Sequence, residues 1–164
     1  SPHYIRDHDE ENEREELLKL EMASVEQSRK QRRALVYQQR LECVVDEDRV
    51  HKLIKTKQYS VAYYRKMESI IGPRVREWIN RELNIIRELS LPVEINCQMI
   101  ADLVMSLMSR VDIVHQQDLF VSQLQSLFIY ESDAQIFVQE LALFVQSDLS
   151  MKQYDNICQY RVVP

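Results

Sequence analysis

The sequence predicts an all-α fold: a long N-terminal helix followed by a five- to six-helix bundle. Three observations predict it. One Gly and four Pro in 164 residues leave few positions for tight β-hairpins or phosphate-cradling loops, which need residues tolerant of positive φ. Helix formers run without Gly or Pro from Glu10 to about Val45. Apolar residues recur at three- and four-residue spacing through the second half. The length suits one domain, with or without an arm, able to bury roughly two-thirds of its unfolded surface.

Residues 1–8 lack periodicity and read as a flexible arm. Asp7 or Asp9 then caps a helix over 9–45, with acidic side chains in its first turns, where the helix dipole favours them. Its apolar stripe is thin. A helix so polar reaches into solvent or packs on a partner along one seam, for which Leu17, Leu18, Val25, Tyr37 and Leu41 are the candidates. Asp46-Glu47-Asp48 opens a connector over 46–59, and a bundle occupies 60–160. Ser60–Ile70 reads as a short helix with Val61, Tyr64, Met67 and Ile71 inward. Gly72-Pro73 reads as a stop and restart, Gly suiting a helix end and Pro a helix start. The next helix reaches about Leu89 on Val75, Trp78, Ile79, Leu83 and Ile86, and Leu91-Pro92 restarts the chain again. Further helices follow over Glu94–Val111 and Gln116–Ile129. Ser132 or Asp133 caps the helix that carries Phe137, Leu141 and Phe144, and Ser150 caps a last one over Met151–Cys158.

The net charge of −5 hides a pattern. Residues 1–26 carry 3 basic and 9 acidic side chains, residues 27–90 carry 15 and 8, and residues 91–164 carry 3 and 9. A basic middle between acidic ends argues against a uniform polyanion coat. It permits one local basic surface, or pairing within the chain. Arg29, Lys30, Arg32, Arg33 and Arg40, interleaved by Tyr37, are the nucleic-acid-binding candidates. Lys52, Lys55, Lys57, Arg65, Lys66, Arg74 and Arg76 could extend them.

No catalytic residues, metal site or cofactor are predicted. The four His and three Cys show none of the paired short spacings of a structural zinc site. Cys43, Cys97 and Cys158 sit in apolar contexts, where Cys serves as a small hydrophobe, and their odd number and wide spacing suit a reducing compartment. No apolar run of about 18 residues is present to span a bilayer. A start at Ser1-Pro2 without Met and an end at Arg161-Val162-Val163-Pro164 read as a segment of a longer polypeptide. Two strings suit modifier chemistry. Leu18-Lys19-Leu20-Glu21 fits the hydrophobic-Lys-any-Glu pattern of a SUMO acceptor, and Cys43-Val44-Val45-Asp46-Glu47-Asp48 has the apolar-then-acidic order of a SUMO-binding segment.

An ordered set of strings carries a family resemblance. Arg32-Arg33-Ala34-Leu35-Val36-Tyr37 precedes Trp78-Ile79-Asn80-Arg81-Glu82-Leu83. Then come Phe120-Val121-Ser122-Gln123-Leu124, Leu127-Phe128 and Phe137-Val138-Gln139-Glu140-Leu141, and last Met151, Tyr154-Asp155 and Tyr160. Across roughly residues 28–160 the chain resembles the helical, PWI-like region that follows the RING finger in Topors-like E3 ubiquitin/SUMO ligases. The resemblance implies a nuclear parent ligase whose RING lies outside this segment, and a non-catalytic helical domain that presents a substrate or partner protein. It implies SUMO or ubiquitin machinery as partners through the parent. DNA or RNA binding through the basic segment and homodimerisation through the long helix are the alternatives. The matched positions are those expected in the core.

Overall fold

In a computed structural model of the chain, the described residues are 2–44, 59–91 and 94–162. Six α-helices and a two-stranded ribbon occupy them: α1 (Pro2–Gln38), β1 (Leu41–Val44), α2 (Val61–Ser90), α3 (Cys97–Met108), α4 (Gln117–Leu124), α5 (Glu131–Ser147), α6 (Met151–Ile157) and β2 (Gln159–Val162). The class is all-α, with a long N-terminal helix and a helical bundle. Two compact units divide the chain, Ser1–Arg33 and Ala34–Pro164. The first is helical from Pro2 onward, so no arm precedes the helix over 2–8. Proline at the start of a helix lacks only an N–H that would have no intrahelical partner there.

The second unit holds the core. α2 contributes Tyr64, Ile71, Val75, Trp78, Ile79, Leu83 and Ile86, and α3 contributes Ile100, Val104, Leu107 and Met108, all buried. Phe120 and Leu124 of α4, and Phe137, Leu141 and Phe144 of α5, close it. Trp78 is the hub. Its ring stacks on Phe144 (centroids 5.6 Å apart, 16° between planes) and tilts against Phe137 at 5.7 Å. Tyr154 of α6 meets Phe144 edge-on at 5.4 Å. Such aromatic contacts add to the area that the rings bury.

Gly72-Pro73 does not divide α2; one helix of 30 residues runs through both. Gly72 keeps a negative φ, so nothing at this position requires glycine. Pro73 forfeits one backbone hydrogen bond, and the buried stripe on either side, Tyr64 and Ile71 before it and Val75 and Trp78 after it, anchors both halves in the same core. The helix stops at Ser90, where Leu91 turns extended (φ −88°, ψ 145°) ahead of Pro92, as the residue before a proline prefers.

The other helix limits follow local chemistry. α3 ends at Met108, three residues short of Val111, where the Ser109 hydroxyl and N–H both turn back to the Ser106 carbonyl. α4 stops at Leu124 and a single 3-10 turn, Gln125–Leu127, completes the segment expected as helix to Ile129. α5 begins at Glu131 behind Tyr130, so Ser132 and Asp133 lie in its first turn rather than capping it. Asp133 instead accepts a 2.7 Å hydrogen bond from Ser90. Ser150 caps α6 as expected, with Gln153 completing a capping box.

Both strands depart from the sequence reading, which carried the first helix to Val45 and the last to Cys158. Arg40 adopts a left-handed conformation (φ 51°) just past the end of α1. The chain then runs extended and pairs antiparallel with β2, Leu41 opposite Val162 and Cys43 opposite Tyr160. The connector expected over 46–59 lies outside the described residues but for Tyr59.

Gly72→Ala tests the continuity of α2. A Cβ there would meet Glu68 Cγ at 3.7 Å and Met105 Cε at 4.0 Å, ordinary contact distances. The substitution is expected to raise stability by about 0.4–1 kcal/mol, read as an increase in Tm. A loss of stability would indicate a break at this position.

Candidate interaction surface

Within the first unit the described side chains, 8–21 and 23–33, are exposed apart from half-buried Arg29 and buried Arg33 at its end. Four large apolar ones stand out: Leu17 at 61%, Leu18 at 57%, Leu20 at 66% and Val25 at 52% exposure. At about 100° per residue they fall within an arc of roughly 160°, two turns long. Leu20 was not among the expected seam residues, yet it belongs to this arc.

The rest of the expected seam is not there. Tyr37 is buried, and its hydroxyl donates to Glu82 Oε1 at 2.9 Å. Leu41 is half-buried in β1. Both are taken into the second unit because the last turn of α1 and the strand after it are part of that unit's core.

The basic candidates separate as well. Lys30 and Arg32 are exposed and Arg29 half-buried. Arg33 is 3% exposed, which withdraws it from a phosphate-facing stripe. Arg40 lies beyond the helix end in its left-handed conformation, so it does not continue the helical spacing. It borders a cavity of about 270 Å³ with Tyr37, Ser90, Tyr130 and Asp133. Of the wider set, Lys66 is exposed, while three arginines are engaged within the chain. Arg74 contacts Asp148 at 2.9 Å, and Arg76 contacts Asp102 at 2.9 Å. Arg65 donates to the Ser109 carbonyl at 2.7 Å. Lys52, Lys55 and Lys57 lie outside the described residues.

A more deeply buried pairing joins three elements of the second unit. Arg81 on α2 reaches Asp155 on α6 with both terminal nitrogens, Nη2 to Oδ1 at 3.1 Å and Nη1 to Oδ2. Its Nε donates to Glu82 Oε2 at 3.3 Å, while Tyr37 of α1 holds the other oxygen of that carboxylate. Side-chain exposure is 10% for Arg81, 6% for Asp155 and zero for Glu82. A charge cluster this dry persists only where hydrogen bonds satisfy it, and it locks α1's end, α2 and α6 in register.

A groove of about 440 Å³ between α4 and α5 is lined by Gln117, Gln125, Gln135 and Gln139 with Asp118 and Glu131, amides and acids without a nucleophile. The string Leu18-Lys19-Leu20-Glu21 lies in regular helix with Lys19 exposed. In the apolar-acidic string, Cys43 and Val44 are strand residues paired with β2, and 45–48 lie outside the described residues.

Sequence reasoning missed one convergence. The sulfurs of Cys43 and Cys158 and a Glu140 carboxylate oxygen lie within 4.8 Å of one another. Their separations of 97 and 18 positions have no motif spacing, and only the β1–β2 pairing over α5 brings them together.

No protein-family model, curated protein or solved structure matches this chain.

Asp155→Asn tests the buried charge cluster. Replacing one of the two carboxylates on the Arg81 guanidinium by an amide is expected to cost about 1.5–3 kcal/mol, measured by denaturant unfolding. A change under about 1 kcal/mol would mean that water reaches this cluster.

Proposed function

We propose that this chain is a non-catalytic interaction domain of a Topors-like nuclear E3 ubiquitin/SUMO ligase, presenting a substrate or partner protein through α1. The observation that carries the docking reading is the exposed arc of Leu17, Leu18, Leu20 and Val25. Apolar side chains gathered on one side of a polar helix gain free energy when a partner covers them, about 25 cal/mol per Å² of apolar surface. Helix-in-groove recognition uses anchors three and seven residues apart, the spacings of Leu17 to Leu20 and of Leu18 to Val25. The family part of the reading is supported by the ordered strings around Trp78, Phe120 and Phe137 and by the all-α bundle in which those residues form the core. Modifier transfer would then belong to a RING elsewhere in the parent.

A second reading draws on the exposed Lys30 and Arg32 beside Arg29, which could neutralise a few phosphates on DNA or RNA. So few contacts give a shallow salt dependence and weak affinity, which ranks it second.

Two double variants separate the readings in cross-linked capture from nuclear extract. Leu17→Asp with Leu18→Asp is expected to cut partner recovery at least about tenfold with helicity unchanged by circular dichroism. Lys30→Ala with Arg32→Ala is expected to leave recovery intact. Equal recovery from wild type and the leucine variant would reject docking through α1. Binding to a labelled duplex that falls with salt and is lost in the Lys30/Arg32 variant would transfer the function to nucleic acid. A sedimenting dimer abolished by the leucine changes would make the partner a second copy.

A further inference from the structure

Glu140 is a carboxylate where the pattern of α5 calls for a hydrophobe. It is 2% exposed and flanked by the buried Phe137, Val138, Leu141 and Phe144. Its environment is polar and specific. Tyr160 and Tyr154 both donate to Oε1, at 2.8 and 3.1 Å. Around the same carboxylate stand two thiols. Cys43 faces Tyr160 across the ladder, and Cys158 precedes Tyr160 by two positions on extended backbone. Residues two apart in an extended chain share a face, so Cys43, Cys158 and Tyr160 converge on Glu140. Both cysteines are half-buried.

We propose that Cys43, Cys158 and Glu140 bind a zinc ion, with water in the fourth position. Zinc takes thiolate sulfur at ~2.3 Å and carboxylate oxygen at ~2.0–2.2 Å, which sets tetrahedral ligands about 3.5–3.8 Å apart. The three donor atoms already lie within 4.8 Å of one another, so closing on the ion needs a contraction of at most ~1.3 Å. Two thiolates select zinc over magnesium or calcium, which prefer oxygen ligands. On binding, each thiol releases its proton to solvent and forms one Zn–S bond. Glu140 forms one Zn–O bond, and no oxidation state changes. The hydroxyls of Tyr154 and Tyr160 orient the ligating carboxylate, the role outer partners play at metal sites. The ion would pin the ribbon to α5.

Cobalt substitution tests this on the full chain, kept in a non-thiol reductant. One cobalt ion per chain is expected to produce sulfur-to-metal charge-transfer absorption, and added zinc to abolish it. Cys43→Ser and Cys158→Ser are each expected to remove about half of that absorption while far-ultraviolet circular dichroism is retained. Cys97→Ser, whose sulfur lies 3.9 Å from the Leu83 carbonyl on another face, is expected to leave the spectrum unchanged. Tyr160→Phe is expected to keep the absorption and weaken zinc binding about 10–100-fold. Absence of the charge-transfer band in the reduced wild type would overturn the proposal. So would a band that survives the Cys43→Ser/Cys158→Ser double variant, or one lost with Cys97→Ser.

Discussion

Burial is distributed unevenly between α1 and α2, and the behaviour of the molecule follows from that. An isolated helix gains little from backbone hydrogen bonds alone; packing of an apolar face supplies most of the stability of a helix in a folded protein. α2 has such a face, with ten of its residues buried around Trp78. α1 over its described side chains 8–21 and 23–32 buries none, and Leu17, Leu18, Leu20 and Val25 face water. One part of the chain is a finished core. The other is a helix whose large apolar side chains Leu17, Leu18, Leu20 and Val25 are exposed.

Charge follows the same division. Three arginines of the basic middle pair with aspartates of the acidic end inside the second unit. Arg81 is enclosed with Asp155, while Arg74 and Arg76 meet Asp148 and Asp102 nearer the surface. The outer pairs contribute little stability, since exposed ion pairs are screened. They do remove cations from a potential phosphate-binding face. The buried cluster fixes geometry instead, because each of its members has partners that only one arrangement of α1's end, α2 and α6 supplies.

Helical periodicity revealed the core well. Trp78, Leu83, Ile100, Val104, Phe120, Phe137 and Leu141 repeat at three- and four-residue spacing, and all are buried. Ser150 revealed its cap because capping is a local, four-residue event. Gly72-Pro73 misled because turn residues act through local preference, and here packing on both sides outweighs one lost hydrogen bond. The ribbon was illegible: four-residue strands lie below the reach of a period-two pattern, and their pairing joins Leu41 to Val162. The convergence of Cys43, Glu140 and Cys158 depends on that pairing and was hidden with it. Leu17, Leu18 and Val25 were found because a stripe on a polar helix is a local signal. Tyr37 and Leu41 were misplaced because burial is decided by neighbours distant in sequence.

Native-state hydrogen exchange on the unpartnered chain measures the unevenness of burial directly. Amides of α2, α3 and α5 are expected to exchange near the rate set by global unfolding. Those of residues 8–32 should exchange orders of magnitude faster, with protection near that of a helix without tertiary contacts. Protection over 8–32 equal to that of α2, in a monomer, would contradict the account, because it would mean that α1 is already covered and holds no surface in reserve for a partner.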